Sequence, residues 1–282
     1  MPFTPKRACD SPGHENRLPT LDGLRAVAIL TVIASHVFHG SGNRLAMLGQ
    51  AGVLLFFALS GYLITTRLLA EQATNGAVSL RNFYLRRAFR ILPPALAYLG
   101  VVTLLTMFGA VICSPSTIRA ALFFYVNYVD PGELGWRAGH FWSLSVEEHF
   151  YALWPLLLIG FGISKGPRTA LALVVAIVAW RATDHHFHIL EGVFHDPHLH
   201  SNYSGTDVMA DTLLWGCALA FFRFKFNPWV STAIAAAAAT LLSCIVMHVH
   251  LPPPHNFEFV TTVAHVLPAL VLAAVVSCPG SI

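Results

Sequence analysis

The chain has 282 residues, of which 55% are apolar and only 11% charged, with a net charge of +3. A soluble domain carries about 25% charged residues, so this composition cannot cover a water-exposed surface. It excludes a soluble enzyme, a disordered protein and a nucleic-acid binder, and it leaves a multi-pass protein embedded in a lipid bilayer.

A membrane span needs about 20 mainly apolar residues. By that criterion spans are expected at 21–38, 51–70, 91–112, 142–163, 168–183, 208–224, 229–250 and 260–278. The shorter run 117–129 fits either a re-entrant segment or a tilted ninth span. The fold class is therefore all-α, a polytopic transmembrane bundle of about eight to nine spans. Residues 1–90 hold ten Lys and Arg against four Asp and Glu, the rest seven against ten. This excess marks 1–17 and the connection after the second span as cytoplasmic, because basic loops stay inside. Lys165, Arg168, Arg223 and Lys225 agree with that orientation if 117–129 does not cross.

Charged groups inside spans are costly and mark function by default. Arg25 and His36 lie on the first span. Eleven residues are three turns to within about 20°, so the two share a face with a rise of about 16 Å between them. Asp22 lies on that face as a partner for Arg25. Arg25 also fits a snorkelling end residue and His36 an interfacial one. A neutral imidazole in a membrane cavity is suited to accept a proton.

The connection after the second span carries Arg86, Arg87 and Arg90 beside Phe83, Tyr84 and Phe89. Guanidinium groups pair with phosphate through two hydrogen bonds and keep their charge on burial; an anchor on anionic lipid fits equally. Further on, Ser143, Glu147 and Tyr151 recur every four residues and line one face. Glu147, with Glu148 and His149 beside it, is too expensive for lipid, whereas the neighbouring aromatics read as headgroup anchors. Asp211, four residues after Asp207, precedes an apolar run. It fits a partner for Arg25, a ligand for a substrate hydroxyl, or a carboxylate at a helix N-terminus.

His185, His186, His188, His195, His198 and His200 crowd one loop with Asp184, Glu191 and Asp196. Imidazole-rich loops can bind zinc or copper, but a Pro-containing loop holds ligand geometry poorly, and no metal is expected. Five scattered cysteines form no CxxC pair and indicate neither a disulfide framework nor a thiolate zinc site.

Four segments together resemble the acyltransferase-3 family of integral-membrane O-acyltransferases: LDGLRAVAILTVIASH at 21–36, GQAGVLLFFALSGYLI at 49–64, NFYLRRAFRILPP at 82–94 and HFWSLSVEEHFYALWPLLL at 140–158. The resemblance implies a membrane domain over 18–282 in the cytoplasmic membrane of a bacterium. It implies transfer of an acyl group, most commonly acetyl, to a hydroxyl of a cell-surface carbohydrate or similar acceptor. Acyl-coenzyme A would be the donor substrate, with no bound cofactor. His36 matches the family's catalytic histidine and Arg25 its partner. Glu147 matches the acidic residue of the Ser-x-x-x-Glu segment that includes Ser143, and Arg86, Arg87 and Arg90 match the arginine cluster. Asp211 matches a family aspartate, with Met209 where the family tends to carry arginine. The family's late GxxSYxxYLxH-like segment has no counterpart, so the domain is expected to lack the last spans. The rival expectation is a transporter with a charge relay through Arg25, Glu147 and Asp211.

Overall fold

The computed structural model describes residues 19–38, 48–129, 137–187, 189, 204–222, 224–248 and 257–277. The expected N-terminal segment 1–17 lies outside them, as do His188, His195, His198 and His200 of the histidine-rich loop. The described residues form α-helices, short 3-10 turns and no strand. In chain order the helices are α1 (Pro19–Val37), α2 (Leu48–Asn75), α3 (Leu80–Met107), α4 (Pro115–Leu122), α5 (Phe141–Phe161), α6 (Gly166–Phe187), α7 (Thr206–Leu219), α8 (Pro228–His248) and α9 (Phe257–Val276).

Local sequence sets their ends. Ser79 caps α3 by accepting from the Asn82 amide. Ser114 does the same for α4 from the Thr117 amide at 3.1 Å, with Pro115 opening the helix, and each cap satisfies a donor the helix itself cannot. α5 stops at Gly162, whose φ of 94° suits a residue without a Cβ.

Six helices, α1, α2, α3, α6, α8 and α9, are long and apolar enough to cross a bilayer. α5 has 21 residues, about 31 Å of helix, and carries the two glutamates. Two expectations are corrected here. The stretch 208–224 is helical only to Leu219, so α7 has 14 residues. At about 21 Å it cannot cross a core of about 30 Å alone. α3 begins at Leu80 rather than near residue 91, so the arginines stand on the helix and not in a connection. The eight residues of α4 reach only about 12 Å, so 117–129 does not cross. α3 and α5 are accordingly antiparallel: Tyr84, early in α3, donates to the Ala152 carbonyl at 2.8 Å, and Tyr98, late in α3, donates to the Arg137 carbonyl at 2.6 Å.

α7 is the buried centre, with every residue from Met209 to Leu214 enclosed. It crosses α2 at glycines: a Cβ on Gly61 would overlap the Leu213 carbonyl, and one on Gly216 the Ala58 carbonyl. Gly49 and Gly52 of α2 meet α1 in the same way, against Ser35, Thr31 and the Ala28 carbonyl. Close backbone approach through small residues is the usual means of helix association in lipid, where apolar burial provides no drive. α5 joins this pair through Trp154, whose indole donates to Thr65 at 2.9 Å. By contrast α1 keeps Val27, Leu30, Ile33 and Val37 exposed, as a lipid-facing helix should.

Candidate active site

The spacing of His140, Ser143, Glu147 and Tyr151 places them on one face of α5, from its N-terminus to its middle. α1, α2 and α3 supply what they meet. The Ser60 hydroxyl on α2 donates to Glu147 Oε1 at 2.7 Å, and the Tyr151 hydroxyl, one turn further along α5, acts electrostatically on Glu147. The Arg87 guanidinium lies over the Tyr151 ring, 3.0 Å from its centroid, a cation–π contact. Its charge acts on Glu147 and Glu148 together. Ser143 turns its hydroxyl back to the His140 carbonyl at 3.3 Å.

At the outer end of this face His140 packs edge-on against Tyr98, with ring centroids 5.1 Å apart. Burial lowers the His140 pKa, and the His36 charge lowers it further. His36 itself is exposed. Glu147 lies seven residues beyond His140, about 10 Å along α5.

The arginine cluster is divided. Arg86 is 64% exposed and pairs with Glu71 at 3.3 Å; Arg90 is exposed beside Arg87; only Arg87 turns onto Tyr151. Arg25 pairs with Asp22 at 2.7 Å, the partner the sequence supplies, at the end of α1 remote from His36.

Asp211 departs most from expectation. It does not meet Arg25. It is fully buried, accepting from His265 Nδ1 at 2.7 Å on one oxygen and from Arg181 at 3.2 Å on the other. Arg181 also donates to the Val208 carbonyl at 3.0 Å and to Thr262 at 2.7 Å. The guanidinium at Asp211 thus comes from α6, while Met209 is buried. With both oxygens occupied inside the bundle, Asp211 is a tie between α6, α7 and α9 rather than a substrate ligand. Sequence reasoning missed Arg181 and His265, although an arginine deep in an apolar helix demands an acidic partner. Arg25, Glu147 and Asp211 are held by separate partners, so the transporter relay has no such geometry behind it.

A second polar cluster was also missed. Asp207 accepts from the Tyr128 hydroxyl at 3.0 Å and from the Trp180 indole at 2.8 Å. Burial and the Asp207 charge push the Tyr128 phenol up to about 12. His149 meets the Thr206 hydroxyl at 2.7 Å, and Asn127 donates to the same oxygen at 3.0 Å. This cluster straps the turn after α4 to α5 and α7, on the face of α5 opposite Glu147.

The family model described as the acyltransferase domain matches residues 18–278, almost all of the described bundle. The chain belongs to the acyltransferase-3 family. It is 34% identical over 250 residues to a peptidoglycan O-acetyltransferase of Listeria monocytogenes, covering 82% of this chain and 39% of that protein. A putative O-acetyltransferase of Staphylococcus aureus is 32% identical over 228 residues, covering 75% and 36%. A putative peptidoglycan O-acetyltransferase of Bacillus subtilis is 34% identical over 224 residues, covering 73% and 33%. The chain thus matches about a third to two-fifths of the length of these relatives. No solved structure matches it. Like other members of the acyltransferase-3 family, it is a multi-pass protein of the bacterial membrane.

Proposed function

We propose that this chain is the membrane-embedded part of an O-acetyltransferase that takes an acetyl group from acetyl-coenzyme A. The acceptor is a hydroxyl of a cell-surface carbohydrate, and the peptidoglycan O-acetyltransferases among its relatives support that class. The observation that carries the reading is the α5 face, with His140 at its start and Glu147, held by Ser60, beside Tyr151 and its stacked Arg87 further along.

Charge placement puts the exposed Arg86 and Arg90 at the cytoplasmic side, where guanidinium forks suit the donor's phosphates. The thioester then extends along α5 toward His36. His36 takes the proton of the acceptor hydroxyl as the oxygen attacks the thioester carbonyl. The tetrahedral intermediate collapses to the ester, and the carbon–sulfur bond breaks. The proton returns to the departing coenzyme A thiolate. Glu147, held by the Ser60 hydroxyl, offsets the charge of Arg87, which lies on the Tyr151 ring as a fixed cation beside the donor. Arg25, about 16 Å from His36 along α1, anchors the inner end of that helix through Asp22.

Transfer of label from radiolabelled acetyl-coenzyme A, in membranes carrying the chain, tests this. We expect transfer by the wild type and a loss of at least a hundredfold in His36→Ala, the upper range of general-base contributions. Equal transfer by His36→Ala rejects the assignment.

A further inference from the structure

Two polar atoms in the candidate site are buried with no hydrogen-bond partner, one a donor and one an acceptor: Arg87 Nε and Glu148 Oε1. Burying either without a partner costs stability, so each requires a physical explanation. They belong to one locality. Arg87 lies on the Tyr151 ring, Glu148 is three residues before Tyr151 on α5, and the charges of Arg87 and Glu148 act on each other. Residues three apart on a helix are about 5–6 Å apart at their Cβ atoms. Even so, Arg87 does not close an ion pair onto Glu148: its guanidinium is spread on the aromatic face, and its Nε–H is left unpaired.

From this arrangement we infer that Arg87 and Glu148 form a subsite for a secondary amide of the donor's pantetheine arm. Arg87 Nε–H donates to the amide carbonyl and Glu148 Oε1 accepts from the amide N–H. A trans amide presents these two groups on opposite edges, so one amide can take a hydrogen bond from Arg87 and give one to Glu148. The inference rests on the acyl-coenzyme A reading of the proposed function and deepens it. His140 lies about 12 Å further along α5 from Glu148, and the amides of the pantetheine arm lie between its phosphate and its thioester. Tyr151 is the positioning residue, since it holds Arg87 through its ring.

The test measures kcat and KM for acetyl-coenzyme A in membranes, beside S-ethyl thioacetate, a donor without an amide. Glu148→Met removes the acceptor while keeping the bulk, and Glu148→Gln keeps an acceptor oxygen. Glu148→Met should raise the KM for acetyl-coenzyme A about tenfold with kcat within twofold, leaving the amide-free thioester unaffected, and Glu148→Gln should restore most of the loss. Three results overturn the subsite: an unchanged KM, an equal loss on both donors, or a KM change confined to the carbohydrate acceptor. Wild-type membranes that transfer acetyl from neither donor overturn the function itself, and the subsite with it.

Discussion

Glu147 shows what a buried carboxylate needs in a membrane helix. It takes a hydrogen bond from Ser60 on α2 and has the Arg87 guanidinium of α3 nearby. Tyr151→Phe keeps the ring under Arg87 and removes only the hydroxyl beside Glu147. It should cost about 0.5–1.5 kcal/mol, the net range for an ordinary hydrogen-bonding group, read as a lower midpoint of thermal unfolding in detergent. Tyr151→Leu, which also removes the cation–π contact, should cost more; equal losses would show that the ring contact contributes nothing. At the outer end, the lowered His140 pKa has a definite sign. The folded state disfavours the imidazolium, so stability is complete above the unfolded value near 6.5 and falls as pH drops through the lower folded value. His140→Asn should flatten that acid limb in unfolding measured between pH 7 and 5, whereas an unchanged limb assigns it to other groups. The sequence made the Glu147 face legible because its four-residue spacing is local. It left Asp211 without its partners because Arg181 and His265 lie 30 and 54 residues away, and no periodicity links such positions.

Among the elements, α7 is where sequence and structure part most. Its apolar run continues past Leu219, so hydropathy alone extends a span to residue 224, but the helix ends as the chain turns at Ala220 and Phe221. A short helix can stay in the bundle because it is enclosed by α2, α6 and α9 and tied by Asp211. Asp211→Ala strands the Arg181 charge and should cost about 3–5 kcal/mol, the penalty for breaking a buried pair. The Arg181→Met/Asp211→Leu double variant should recover most of it, and a double variant as unstable as Asp211→Ala would contradict a charge-balancing role. The glycine crossing is a second joint. Gly216→Ala drives a methyl into the Ala58 carbonyl and should destabilise by about 1–3 kcal/mol, as overpacking does. Gly100→Ala, with open space around it, should stabilise by about 0.5–1 kcal/mol through helix propensity. The same sign for both in thermal unfolding would reject close packing as the reason for Gly216. Gly49, Gly52 and Gly61 all sit at close helix crossings. Only Gly49 and Gly52 meet α1, whereas Gly61 serves α7, because a glycine marks a close approach without naming the partner.

For the molecule as a whole, composition alone dictated a helical membrane bundle, although one expected span, 208–224, is too short to cross and another begins earlier than hydropathy suggested. The arrangement divides its charges by task. Arg181, Asp211 and His265 neutralise one another in the packed interior. Glu147 meets Ser60 and Arg87 lies on Tyr151, while Arg86 and His36 are exposed. That division is what a transferase needs if its anionic donor enters at one end and reacts at the other. The central claim, acetyl transfer to a carbohydrate hydroxyl with His36 as base, is tested most directly by radiolabelled acetyl-coenzyme A in membranes carrying the chain. The account predicts label in the carbohydrate fraction with the wild type and its loss with His36→Ala. Label transferred equally by both, or by neither, would contradict it.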